Sequence, residues 1–336
     1  MEISCAFATS LSTPEQIALA ERLGYRRAWC YDSPALYPDV WVTLALAAER
    51  TSRIGLGPGV LIPSLRHPMA NASAIATLAH LAPGRVAVAV GSGFTGRLTL
   101  GQRPLKWSFV EAYVRALKGL LGGEEVEWEG AVMRMMQPQG FAPPRPIDVP
   151  LLIGAAGPKG LAAARALTDG VFTTQPVAGF NWAAQLVTGT VLEQGEDPGS
   201  ERVIAAAGHA AAVAYHGAYE RGGVESLPGG AAWRAQIERI PARTRHLAIH
   251  EGHLIAPNPI DRTVLNGEVL ARYGRALDAA TWRERLKRWE ADGTTEIAYQ
   301  PAGPDIPREL TAFARMARAE PAISSTVSPL IRSPIR

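Results

Sequence analysis

The chain has 336 residues, 47% of them hydrophobic, with 34 Lys and Arg against 31 Asp and Glu and a formal net charge of +3. That is enough apolar side chain to bury a core, and the charge is too even to favour a nucleic-acid surface. Two cysteines, Cys5 and Cys30, exclude a disulfide framework and fit a reducing cytosol, while no apolar run nears the ~18 residues of a membrane span and the opening Met1-Glu2-Ile3-Ser4 is no secretion signal.

Short apolar runs alternate with helical patterns. Residues 3–8 read as a strand, followed by Thr13-Pro14-Glu15-Gln16, a capping box with Pro at the first helical position, and a helix that stops at Gly24. Residues 28–31 read as a second strand, 40–50 as a helix and 54–62 as a third strand. A helix over 69–81 ends at Pro83-Gly84, and 85–90, almost purely Val and Ala, form a fourth strand. A helix over 109–121, a strand over 150–154, a helix over 160–167 and a strand over 171–174 continue the alternation.

Strands that are apolar on both faces and separated by helices imply parallel pairing, in an open doubly wound sheet or a closed barrel. Residues 247–250 and 296–299 read as two further strands, with an amphipathic helix over 281–290 between them, which brings the count to eight. The expected architecture is a single (β/α)8 TIM barrel over 1–320. It carries an insertion at about 124–147, between the fourth and fifth strands, and a loose tail over 321–336. Residues 201–242 resist placement, their Ala-rich half suiting strand or helix.

A barrel's chemistry lies where strands end and helices begin. Gly154-Ala155-Ala156-Gly157-Pro158-Lys159 leaves a strand and opens a helix. Small residues let backbone N–H groups approach an anion, and Lys159 is one of only four lysines. The same residues also suit a plain Gly-Pro turn. Gly91-Ser92-Gly93 after the fourth strand suits a phosphate or a tight turn; it is neither a Walker loop nor, with no helix evident after it, a dinucleotide fingerprint. Gly55, Gly57 and Gly59 mark a third strand that either kinks to close the sheet or lies against a flat ligand. Asp32 ends the second strand, as a site residue or a turn cap. His246, His250 and His253 cluster near a strand end, with Asn258 and Asp261 beyond. They suit a substrate pocket or an ordinary core; His-Glu-Gly-His lacks helical zinc spacing, so no metal site is read.

Taken in order, several segments resemble the bacterial luciferase-like monooxygenase superfamily. They are Thr51-Ser52-Arg53-Ile54-Gly55-Leu56-Gly57, Arg66-His67-Pro68 and the run from Arg85 to Phe94. Ile153 to Lys159 and Thr168-Asp169-Gly170-Val171 resemble the branch near the F420-dependent methylenetetrahydromethanopterin reductases. The resemblance implies a TIM barrel, often a homodimer, with deazaflavin F420 or, alternatively, FMN at the strand C-termini. It also implies a non-prolyl cis peptide near Gly59-Val60 behind the ring. The implied cofactor residues are Asp32, Gly59, Val60, Gly91, Ser92, Gly93, Gly154, Ala155, Ala156, Gly157, Pro158 and Lys159, and His246, His250, His253 and Asp32 are the catalytic candidates. The implied activity is hydride transfer between F420 and a small organic substrate with an activated C=C or C=N bond. The alternatives are an FMN-dependent monooxygenase and a non-catalytic flavin-binding protein. The superfamily's sugar-phosphate and alcohol dehydrogenases carry His directly after the Asp that ends strand two; here Ser33 stands there.

Overall fold

The computed structural model describes residues 1–318, so the tail expected over 321–336 lies outside the described residues. Eight parallel strands close a barrel in sequence order: β1 (Glu2–Phe7), β2 (Arg27–Cys30), β3 (Gly55–Leu61), β4 (Val88–Gly91), β5 (Leu151–Gly154), β6 (Gly170–Thr173), β7 (Ala183–Thr188) and β8 (Glu296–Gln300), with β8 pairing back onto β1. Helices α1 (Thr13–Arg22), α2 (Val40–Arg50), α3 (Pro68–Leu81), α4 (Trp107–Gly122), α5 (Pro158–Leu167), α6 (Glu201–Glu220), α7 (Ala279–Ala291) and α8 (Ile306–Arg318) are the principal helices.

The Val/Ala run of the fourth strand follows from its two faces. Val86, Val88 and Val90 point outward into the core shared with the helices, while Ala87 and Ala89 point into the barrel. The interior is filled by few large groups, chiefly Trp29 and Phe172, ringed by Ala6, Ala87, Ala89, Ala184 and Ala298. Cys5 and Cys30 face outward, fully buried, and burial pushes both thiols upward in pKa.

At the N-terminal end the barrel is plugged by a polar cluster. The buried Glu296 carboxylate accepts from Trp29 Nε1 at 2.9 Å and Trp182 Nε1 at 2.8 Å, and Arg27 Nε lies 3.9 Å away. The Arg27 guanidinium lies 4.8 Å from the Trp182 ring centroid. Gly55 makes room for it, since a Cβ there would stand 2.6 Å from Arg27 Nη1.

Three expectations differ from the structure. Ser12, not Thr13, precedes α1, and the Thr13 hydroxyl accepts instead from the Ser10 N–H. Residues 247–250 fall in a short helix, Arg245–Ile249, and its following residue, because one apolar turn of helix and a short strand share the same pattern. The seventh strand is Ala183–Thr188, whose Ala and Gln residues carry weak strand propensity.

The insertion after α4 is an antiparallel hairpin, Val126–Trp128 with Ala131–Met133, whose Trp128 sits edge-on to Phe109 and Tyr113. A larger excursion lies between β7 and β8. It contains α6 and further helices around its own core of Tyr215, Trp233, Ile237, Ile249 and Leu270. Its neck is a parallel pairing of Thr190–Val191 with Ala276–Leu277. Buried Glu309 of α8 braces that neck by accepting from Thr190 Oγ1 at 2.7 Å and Arg202 Nη1 at 2.9 Å.

Candidate active site

A cavity of about 280 Å³ opens at the C-terminal ends of the strands. Its floor is built by β3, β4 and β5. The Gly59–Val60 peptide is cis, and the ladder shifts register between Gly59 and Leu61. The Val60 side chain crosses towards two glycines: a Cβ on Gly154 would stand 2.6 Å from Val60 Cγ1, and one on Gly91 2.7 Å from Val60 Cγ2. Glycine at both positions lets Val60 form an apolar floor. Gly59 lines the cavity, but the space its missing Cβ leaves faces Trp29 and Phe172 in the barrel interior, at 3.1 and 3.3 Å. Its small size therefore answers to interior contacts.

One rim is the start of α5. Ala155 and Ala156 line the cavity, whereas Gly157, Pro158 and Lys159 are exposed just beyond it. No side chain caps α5, so its first N–H groups are open to an anion, and no atom lies within 4 Å of where a Gly157 Cβ would be. Gly160 is buried where its missing Cβ admits Trp107 and Ala155, which lets the helix start approach closely.

The opposite rim is β2 and the turn after β4. Asp32 is buried, receives Arg66 Nη1 at 2.7 Å and faces the Ile62 N–H at 3.4 Å. Burial raises its carboxyl pKa and outweighs the lowering effect of Arg66. Gly93, at φ +75°, caps a short helix, Phe94–Leu98, which the sequence reading had not placed there. Gly91, Ser92 and Gly93 line the cavity together with Thr95.

The expected histidines stand elsewhere. None of His246, His250 and His253 lines the cavity. His246 is half-buried beside Gly101, while His250 and His253 are buried in the excursion between β7 and β8. Burial pulls His250 down to about 4 and holds His253 well below its ordinary value. His253 reaches the cavity wall indirectly, with Nε2 3.2 Å from Thr95 Oγ1. The loop that carries it supplies the cavity's Leu254 and is also tied to the barrel through two backbone carbonyls: Tyr37 Oη donates to the His253 carbonyl at 2.5 Å, and Gln300 Nε2 donates to the Leu254 carbonyl at 2.6 Å.

Sequence reasoning missed Thr95, Tyr37 and Leu254, which come from three separate segments and carry no local motif. It also missed His216, which lies on α6 in contact with Asp261. Its only sequence signal is a polar residue on an Ala-rich helix, seven positions after His209.

A luciferase-like monooxygenase family model matches residues 11–295. A 5,10-methylenetetrahydromethanopterin reductase of Methanolobus tindarius is 30% identical over 185 residues, 54% of this chain and 55% of that protein. An F420-dependent glucose-6-phosphate dehydrogenase of Nakamurella multipartita is 34% identical over 174 residues, 49% of this chain and 48% of that one. The chain thus aligns with about half the length of these curated relatives. The solved coenzyme F420-dependent tetrahydromethanopterin reductase of Methanopyrus kandleri has the same fold, with a TM-score of 0.64 and 19% identity, over 94% of this chain and 98% of that one. By its sequence and its closed eight-stranded barrel, this chain belongs to the luciferase-like monooxygenase family, with the methylenetetrahydromethanopterin reductases among its relatives.

Proposed function

We propose that the chain is an F420-dependent oxidoreductase acting on a small organic substrate with an activated C=C or C=N bond. The observation that carries this reading is the cavity's shape: an apolar floor of Val60 between two glycines, running out to an uncapped helix start with Lys159 beside it. The floor fits a flat ring and the rim fits a phosphate. When bound, the deazaflavin supplies hydride transfer. The residues of the chain bind and orient it. Val60 supports the ring from behind, and Gly154 to Lys159 hold the anionic end. Asp32, Ser92 and Thr95 present polar groups to the substrate side. The names of the F420-dependent relatives support the choice of cofactor. Ser33, in the position where alcohol-oxidising members carry His, argues for reduction of an unsaturated bond over alcohol oxidation.

Titration of the purified protein with F420 and, separately, with FMN tests this by fluorescence. F420 is expected to bind. Lys159→Ala is expected to weaken it by about 1–2 kcal/mol, roughly five- to thirtyfold, the scale of an exposed charge at a helix start. Binding of FMN alone would make the chain a flavin monooxygenase of the same family, binding of F420 without turnover of any unsaturated substrate a carrier, and binding of neither would remove the cofactor reading.

Among the described residues no helix is long and apolar enough to cross a membrane. Two buried free thiols support a place in the reducing cytosol. Val42 and Leu46 on α2, with Val132, Met136 and Phe141 around the hairpin, are exposed apolar groups that support a homodimer through this side. Light scattering should then report a dimer, and Phe141→Glu combined with Val42→Glu should yield a folded monomer; a wild-type monomer at micromolar concentration would refute it.

A further inference from the structure

His216, His250 and His253 converge, all three buried, behind the wall of the cavity. Their Nδ1 atoms point at one another: His216 to His253 at 3.3 Å and His250 to His253 at 3.4 Å. One ligand nitrogen from each of the three lies within 4.8 Å of the others. Three nitrogens bound at about 2.0–2.1 Å to one tetrahedral ion stand about 3.3 Å apart, so two edges of the triangle already have metal-site length.

The proton inventory points the same way. His216 Nε2 lies 3.1 Å from both oxygens of Asp261, which places a proton on Nε2 and, in the neutral ring, leaves a lone pair on Nδ1. Asp261 is itself oriented by Trp233 Nε1 at 2.9 Å, and its backbone N–H donates to Asn258 Oδ1 at 2.8 Å. His253 Nε2 meets the Thr95 hydroxyl, so its Nδ1 also faces the junction. A single proton on His253 Nδ1 is the most the junction holds without setting two N–H groups head-on. At least two buried lone pairs are then shared by one long-range donor, and His250 Nε2 has no partner at all. The hydrogen bonds of the protein alone do not close this cluster, and a cation at its centre would use all three lone pairs at once.

We propose that His216, His250 and His253 form a three-histidine site for a divalent transition-metal ion of the zinc type, with a water or anion in the fourth position. The carboxylate–histidine arrangement of Asp261 and His216 is the outer support such ligands commonly have. The ligands come from two elements, α6 and the loop after residue 249, so the ion would clamp the loop that carries Leu254 to the long helix behind it. This places the ion beside the cavity rather than in it, and the inference does not rest on the identity of the cofactor.

The test uses the full chain, stripped with chelator and dialysed, then titrated with Zn²⁺ or Co²⁺ alone. One zinc per chain should survive gel filtration, the melting temperature should rise until one equivalent is added, and Co²⁺ should give the intense visible bands of a four-coordinate ion. His250→Ala and His253→Ala should each abolish stoichiometric binding, and Asp261→Asn should weaken it by about 10–100-fold. If an alanine variant fails to fold, His250→Gln and the wild-type cobalt spectrum decide the matter. Absence of retained zinc and of cobalt bands in the folded wild-type chain overturns the site, as does undiminished binding in folded His250→Ala or His250→Gln.

Discussion

A chain carrying Gly154→Ala is expected to lose about 1–3 kcal/mol of stability, the usual scale of overpacking, and to bind the proposed cofactor at least about 100-fold more weakly. The new methyl would stand 2.6 Å from Val60 Cγ1, and the other Val60 methyl already fills the space that a Gly91 side chain would need. Val60 is hemmed in by β4 and β5, so its free direction is up into the cavity, where it would displace the ring of the proposed cofactor. Val60→Ala in the same chain removes the colliding methyls and should recover much of the lost stability. Denaturant unfolding and cofactor titration of the four chains of this cycle measure the coupling. If the two substitutions simply add, or if Gly154→Ala binds like the parent, Val60 is not the floor.

Glu296→Leu should be more damaging, costing about 3–5 kcal/mol, because it removes one partner from a buried charged cluster and leaves the other groups unpaired. Trp29 and Trp182 would each lose an indole acceptor, and Arg27 would keep a buried guanidinium without its counter-charge. Burial lowers the Arg27 pKa despite the raising effect of Glu296. Glu296→Gln keeps an acceptor oxygen and should cost about half as much. Urea unfolding at constant m-value reads both. A loss below about 1 kcal/mol for the leucine variant would mean that the plug is solvated. Since the plug lies at the opposite end of the barrel from the cavity, cofactor affinity of the folded variants should be unchanged.

Most of the barrel was legible because its strands and helices repeat a strong local pattern. The Val/Ala run ending at Gly91, the Gly-Pro helix start at Gly157 and the stop signals at Gly24 and Gly123 each carry their own physics in a few residues. The seventh strand was not legible, since Ala183-Ala184-Gln185 owes its strand form to β6 and β8 on either side. The cavity followed the same division. Its floor and helix rim come from contiguous glycine-rich junctions and could be read. Its far wall, made by Tyr37, Thr95 and Leu254, exists only through tertiary contacts. The histidines lie outside the cavity: a four-residue apolar turn read as a strand end had placed them at its rim, and His216, which meets His250 and His253, lies more than thirty residues upstream on a helix that the pattern left undecided.

The excursion between β7 and β8 has its own hydrophobic core, separate from that around the barrel, but its loop bearing Leu254 packs against the cluster inside the barrel. The far wall of the cavity thus joins one loop of the excursion to Tyr37 and Thr95 of the barrel. That loop is held over the cavity by the packing of Leu254 and by hydrogen bonds with Tyr37, Gln300 and Thr95, none of them a strand pairing of the closed sheet. Release of that loop would open the cavity while every strand pairing of the barrel stays intact, so ligand exchange and global unfolding are expected to draw on different parts of the same chain.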